Sequence, residues 1–238
     1  MISIIIPAYK EEKWIAETIR QFKALPIPHE VIVSDGKSPD RTVEIAKLHT
    51  GKVVVYSGMN KHNAAIGRND GAKVAAGDIL VFIDASAIVP NINAFFVRAL
   101  THFQNDQNLV ALNVYQWIAP NETWVDRIIL WLTNNALHIQ NNLLRHGMGS
   151  GKFMMMRKSA FDRVGGFREE LAVGEDGDMV NRLSKIGRTH IDSSLYILYP
   201  GRREHQLGWT RLLWSWMRDW TSVRLFGKAK TDQWKAIR

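Results

Sequence analysis

Apolar residues enter this chain as short unbroken runs separated by stretches of helical spacing. Ile2-Ser3-Ile4-Ile5-Ile6 stops at Pro7, and residues 30–35 run into Asp35. Residues 52–56 form a third run, and Ile79-Leu80-Val81-Phe82-Ile83 forms a fourth that ends on Asp84. Runs this short and this apolar read as strands buried on both faces. Between them, Trp14, Ile15, Ile19 and Phe22 recur at helical intervals. Asp40 is placed to cap a helix reaching about Leu48, and the Ala-rich stretch 63–76 is closed by Gly77. The alternation predicts a mostly parallel α/β sheet with helices on both faces, residues 1–90 forming a nucleotide-binding half.

The second half, residues 91–206, is less regular. Helices are predicted over 91–103, 122–145, 159–164 and 175–186, and strands over 109–118, 153–156 and 195–198. In the long helix Trp124, Ile128, Trp131, Leu132 and Ile139 share one face. Gly147, Gly149 and Gly151 mark a flexible loop. A last helix over about 208–226 places Leu212, Leu213, Trp216, Met217, Trp220 and Val223 on one face, with Arg211, Ser215, Arg218 and Ser222 opposite. Residues 207–238 thus read as an amphipathic, basic, Trp-rich segment appended to a catalytic unit over 1–206.

Composition narrows the class. At 238 residues and 46% hydrophobic content the chain can bury a sizeable core, and without cysteine it has neither disulfides nor thiolate metal sites. No leader-like N-terminal segment and no spanning run are expected. The net charge of +8 favours anionic partners. Arg202, Arg203, Arg211, Arg218, Arg224, Lys228, Lys230, Lys235 and Arg238 crowd the tail, as do Trp209, Trp214, Trp216, Trp220 and Trp234. Tryptophan opposite arginine fits a helix lying in a membrane interface, the plainer alternative being a helix packed on the domain.

Candidate chemistry gathers at strand ends. Asp35 and Asp84 fall at the carboxyl edge of the predicted sheet, where ligands of open α/β folds bind, with Pro7-Ala8-Tyr9 at a third strand end. Such a carboxylate can accept from a base N–H or hold a metal on a diphosphate; capping a turn is the common alternative. Glu175, Asp176 and Asp178 open a helix, where acids complement the dipole, and a third acid suggests a general base. Arg202-Arg203 after the last strand suits a diphosphate or is a basic surface loop. His205 is a candidate metal ligand without spaced partners, and Arg68 could reach a base or phosphate.

Taken in order, these segments resemble family 2 glycosyltransferases of the GT-A fold. The likeness runs through SIIIPAYKEE (3–12), VIVSDGKSPDRT (31–42), GRNDGAKVAAGDILVFIDAS (67–86), the block at 153–183 with its Glu-Asp pair, and GRREHQLG (201–208). The resemblance implies an inverting transfer from a UDP- or GDP-sugar to a glycan or lipid-linked acceptor. Pro7, Ala8, Tyr9 and Glu11 would line the nucleotide pocket, and Asp35 would bind the base with Arg68 assisting. Asp84 would ligate Mg²⁺ or Mn²⁺, with Ser86 and His205 as further candidates. Asp176 would be the general base, Glu175 or Asp178 would orient the acceptor, and Arg202 or Arg203 would hold the leaving diphosphate. The chain departs from the usual Asp-x-Asp at Ser86, and Lys37 replaces a usual small residue after Gly36. No nucleic-acid partner is expected, and the protein is expected in the cytoplasm, peripheral on the inner face of the membrane. A nucleotidyltransferase of similar fold is the alternative, although Pro-Ala-Tyr-Lys-Glu-Glu lacks its glycine-rich loop; a non-catalytic nucleotide-sugar-binding protein that docks on membranes is another.

Overall fold

The computed structural model describes residues 1–58 and 62–231. Among these, seven strands form one sheet in the order β3-β2-β1-β4-β6-β5-β7. The strands are β1 (Ile2–Ala8), β2 (His29–Asp35), β3 (Lys52–Val55), β4 (Ile79–Ile83), β5 (Leu109–Ile118), β6 (Phe153–Arg157) and β7 (Arg188–Tyr199). β1 pairs parallel with β2 and β4, β2 with β3, and β5 with β7. Only β6 reverses, lying antiparallel between β4 and β5. The mostly parallel α/β sheet expected from the run pattern is therefore present.

Alternation divides the core between the two faces of the sheet. Ile4, Ile6, Val81 and Ile83 pack with Phe22, Phe96 and Phe153 on one side. Ile5, Leu80, Phe82 and Met154 pack with Phe161, Phe167 and Met179 on the other. The helices that cover these faces include α1 (Ile15–Arg20), α2 (Thr42–Lys47), α3 (Ala64–Lys73), α4 (Ile92–Asn105), α5 (Trp124–His138), α6 (Lys158–Arg163) and α7 (Glu175–Ser184). α8 (Arg202–Leu207) and α9 (Trp209–Phe226) follow the last strand.

Three departures from the sequence pattern have physical causes. β7 spans twelve residues where only 195–198 were expected. Its polar first half is accommodated because buried Asp192 accepts from Arg98 Nε at 2.6 Å and lies 2.8 Å from His102 Nε2. The arginine pair after the last strand, a diphosphate site or a basic loop by sequence, opens the short helix α8. On α9 the apolar face is split: Leu212 is buried, Trp216 and Val223 are half-buried, and Asp219 and Ser222 join them inward, whereas Leu213, Met217 and Trp220 face out. On α5 the shared face of Trp124, Ile128, Trp131, Leu132 and Ile139 exists, and it is the exposed one. Trp234, Lys235 and Arg238 of the basic tail lie outside the described residues.

Asp126 joins α5 to α8 and α9. Its Oδ2 accepts from Thr123 N at 2.8 Å in a capping box and lies 2.9 Å from His205 Nε2, while Oδ1 accepts from Trp209 Nε1 at 2.6 Å. Ile118, Leu130, Tyr199 and Trp209 form a small third core around this junction. Burial pushes the Asp126 carboxyl up, but hydrogen bonds from His205, Thr123 and Trp209 outweigh it and hold it at about 2. A carboxyl depressed in the folded state adds stability above its unfolded value near 4, and that contribution disappears as pH falls towards 2. Asp126→Asn should lower stability by about 1–3 kcal/mol, and urea melts against pH should show a shallower acid limb in the variant.

Candidate active site

Strand direction brings the candidate residues to one edge. β1, β2 and β4 are parallel, and Ala8 lies in register with Asp35. Their carboxyl ends therefore carry Pro7-Ala8-Tyr9, Asp35 and Asp84 together. Because β6 runs antiparallel to β4, it begins where β4 ends: Ile83 pairs with Phe153, and Asp84 N donates to Lys152 O at 3.1 Å. Gly151 is thus delivered to the same edge. β5 and β7 again run in the direction of β4, so α8 leaves β7 at that edge too.

On the nucleotide side two turns are stitched together. Asp35 is fully buried, and its carboxylate accepts from Ser38 N at 2.7 Å and from Ser38 Oγ at 2.6 Å. Gly36 N donates to Ala8 O, Lys10 N to Ser38 Oγ and Glu11 N to Thr42 Oγ1, each at 2.8 Å. Ala8 is buried, Pro7 half-buried and Tyr9 exposed. His62 packs its ring on Gly36 and Gly67, where an added Cβ on either glycine would press into the imidazole. The Tyr56 ring lies 5.0 Å away, and burial lowers the His62 imidazole below its ordinary value. His62 was not singled out from sequence; glycines on both elements flanking it are the available signal.

Arg68 is the centre of a second cluster at this edge. Expected to assist at the base, it is instead 3% exposed and donates through Nη1 to Glu175 Oε1 at 2.6 Å. Nη2 donates to Gly151 O at 3.2 Å and lies 3.9 Å from Asp84 Oδ1, and the guanidinium sits 5.3 Å from the Phe167 ring centre. Gly151 N in turn donates to Asp176 Oδ2 at 2.6 Å. One guanidinium and one glycine thereby tie Asp84, Glu175 and Asp176 together. Burial, and then the charge of Asp176, push the Glu175 carboxyl up against the pull of Arg68. α7 is launched by Gly174 at φ +80°, a left-handed conformation that favours glycine, and its first turn offers a positive dipole end to these acids. Asp178, expected beside Glu175 as an acceptor-orienting acid, is committed elsewhere: it accepts from Arg182 Nε at 2.7 Å and lies 3.4 Å from Arg168 Nη1. Gly151 was read as part of a flexible loop, and its glycine spacing immediately before a strand was the signal for its role.

Arg202 spans the halves of the chain. Its guanidinium donates to Glu11 at 3.2 Å and to Ser86 Oγ at 3.0 Å, and stacks 5.7 Å from the Trp14 ring centre. Gly201, at φ +61°, makes the turn from β7 into α8, and a side chain there would strike Ile118. Arg203 follows on the same helix. His205, a candidate metal ligand by sequence, is held by Asp126 in the α5 junction instead. Among the described residues no group of three or more His, Asp or Glu could hold a metal ion. Of the three candidates, His205 is held by Asp126 and Ser86 Oγ accepts from Arg202 Nη2 at 3.0 Å. The donor set that remains is one carboxylate, which suits Mg²⁺ only when substrate phosphates supply further oxygens.

An open α/β sheet with carboxylates on its carboxyl edge, an arginine at the end of the last strand and acids opening a helix across the cleft defines a GT-A glycosyltransferase fold. The model of glycosyl transferase family 2 matches residues 3–165, and the chain belongs to that family. The chain is 26% identical over 198 residues to the O-antigen chain rhamnosyltransferase WbaN of Salmonella anatum, covering 78% of this chain and 61% of the relative. It is 25% identical over 215 residues to the succinoglycan biosynthesis protein ExoA of Rhizobium meliloti, covering 87% and 65%. Among solved structures it resembles the mannosyltransferase PcManGT of Pyrobaculum calidifontis in complex with GDP-Man and Mn²⁺, at TM-score 0.67, 17% identity and coverage of 84% and 56%. It also resembles S. aureus TarS 1-349 in complex with UDP-GlcNAc, at TM-score 0.63, 19% identity and coverage of 83% and 58%. The chain spans less than two-thirds of the length of each of these four.

A methyl group on Gly151 would collide with the Arg68 guanidinium and approach Asp176 Oδ2 at 3.3 Å. Gly151→Ala should displace both groups and lower turnover about 10²-fold. Circular dichroism should show the fold retained while steady-state rates fall.

Proposed function

We propose that the chain is an inverting glycosyltransferase that moves a sugar from a nucleotide-diphospho-sugar to an acceptor hydroxyl. The observation that supports this is the convergence of Asp84, Glu175 and Asp176 on buried Arg68 and Gly151, at the edge where Arg202 also stands. Asp176 takes the proton of the acceptor hydroxyl as its oxygen attacks the anomeric carbon from the face opposite the diphosphate. The bond between that carbon and the diphosphate oxygen breaks, and the electron pair leaves with the diphosphate. Arg202, with Arg203 beside it in sequence, compensates the charge that develops there. Glu175, fixed by Arg68, supports the acceptor side. On the nucleotide side, Pro7, Ala8, Tyr9 and Glu11 lie along the base and ribose, and Asp35 shapes the turn on which the base rests. Arg68 supports the acceptor acids from this half.

A divalent ion, Mg²⁺ or Mn²⁺, would be held by Asp84 together with the donor's phosphates, and would neutralise diphosphate charge as a Lewis acid. The neighbours with Mn²⁺ and GDP-Man or with UDP-GlcNAc support a sugar nucleotide as donor. The relatives named for O-antigen chain and succinoglycan synthesis support a glycan acceptor; that it is lipid-linked and reached at the cytoplasmic membrane surface belongs to the proposal.

Calorimetric titration with UDP- and GDP-sugars, with and without Mn²⁺, tests the donor; the proposal expects one of them to bind and fails if none does. Asp176→Asn should retain donor affinity and lose about 10²–10⁴-fold in turnover. Turnover at the wild-type rate would remove Asp176 as the base and favour a non-catalytic binder. Arg202→Ala should weaken donor binding by about tenfold or more at every metal concentration, because charge-assisted hydrogen bonds are lost. Adding EDTA should weaken binding further in both proteins.

A further inference from the structure

We infer that the outer face of α5 and α9 is a docking surface for an anionic lipid bilayer. The inference rests on the proposal that the enzyme works at a membrane surface, and not on the chemistry of sugar transfer. α5 is apolar on the face that points away from the core: Trp124 is 75% exposed and Trp131 56%, with Ile128 between them and Leu132 next to Trp131. α9 repeats the arrangement, with Trp214 64% exposed and Leu213, Met217 and Trp220 also facing out.

Val125 and Ile129 of α5 and Trp209 and Trp216 of α9 belong to one small apolar core, and Trp209 Nε1 donates to Asp126 Oδ1 at 2.6 Å. On a helix, residues three and four apart are neighbours. Ile128 and Leu132 therefore lie beside Val125 and Ile129, and Leu213 and Trp220 beside Trp209 and Trp216, so the exposed apolar residues of both helices border that core. On its α9 side a groove of about 260 Å³ is lined by Trp214, Met217, Phe226 and Lys230 among others.

Charge decides what covers this surface. α5 and α9 each carry one acidic residue, Asp126 and Asp219, and both are buried. Asp126 is engaged by His205 and Trp209, and Asp219 by Arg218 and Thr231. The arginines point the other way: Arg211 and Arg224 are exposed, with Arg224 5.2 Å from the Trp220 ring centre, and Arg127 is exposed but paired with Glu122 at 2.7 Å. A surface of tryptophan and aliphatic side chains, edged by cations and with every acid of its two helices turned inward, matches an interface of acyl chains below anionic headgroups. Among the described residues no helix is long and apolar enough to cross a membrane, so this contact lies in the plane of the interface.

The test is co-sedimentation of the full chain with vesicles of phosphatidylcholine alone or mixed with phosphatidylglycerol, without donor, acceptor or metal. Binding is expected to the phosphatidylglycerol vesicles and to weaken as salt is raised. The double variant Ile128→Glu, Trp131→Glu should lower affinity at least about tenfold with an unchanged circular dichroism spectrum. Arg211→Glu with Arg224→Glu, at exposed positions, should abolish the preference for phosphatidylglycerol and decides the matter should the first variant fail to fold. The inference is overturned when the wild type stays in the supernatant with both vesicles, or when folded variants bind as well as the wild type. It is equally overturned when light scattering shows a dimer that the glutamates split and vesicles are not bound, which would make the face a contact between copies. Because no sugar is present in the assay, a negative result leaves the transferase proposal standing, and loss of that proposal leaves the vesicle result intact.

Discussion

A guanidinium withdrawn from water is the constraint on which the candidate site depends. Arg68 has almost no solvent contact, so its charge must be met by protein groups, and removing one of them would leave it uncompensated at a cost of several kcal/mol. Glu175 meets it directly, Gly151 O and Asp84 complete the surroundings, and Gly151 N carries the connection to Asp176. These contacts come from α3, β4, the loop before β6 and the first turn of α7. The electrostatic need of one side chain therefore fixes the relative position of both halves of the chain. It also explains why a residue with no side chain stands at position 151: the peptide must pass against the guanidinium itself.

The sheet makes that convergence available. A purely parallel sheet would bring each strand to the cleft by its carboxyl end only. The single reversal at β6 lets the chain enter the cleft by a strand's amino end, directly beside Asp84. From there the direction is restored, and β7 can deliver α8 to the edge where β1 begins its own loop. The contact between Arg202 and Glu11 joins positions from opposite ends of the chain for this reason.

Elements whose polarity agrees with their burial were legible in the sequence. The strands ending at Asp35 and Asp84 are apolar and buried, and both were placed within a residue or two. Legibility failed where polar groups are buried in pairs. Thr189 and Asp192 made the start of β7 look like a loop, although Arg98 and His102 satisfy the carboxylate. Asp219 and Ser222 made the inner face of α9 look like its outer face. In the site, the residue types at 84, 175, 176 and 202 were readable from local motifs. Their partnerships were not: Arg68 with Glu175 and Arg202 with Ser86 are separated by 107 and 116 positions, and no local periodicity records them. Asp35 and His205 show the same limit, since each is engaged by a neighbour that only the fold identifies.

The pairing of Arg202 with Glu11 has a further consequence for selectivity. With no ligand bound, the cleft neutralises its own cation, so it does not present a bare positive charge to every passing anion. A ligand that claims Arg202 has to displace a resident carboxylate and the Ser86 hydroxyl as well. A small anion such as inorganic phosphate offers one contact in exchange and gains little. On the proposed function, a sugar nucleotide would bring two linked phosphates, a base and a ribose, and its other contacts would offset the exchange. The resting ion pair would then act as a threshold, discounting anions that lack the rest of the donor.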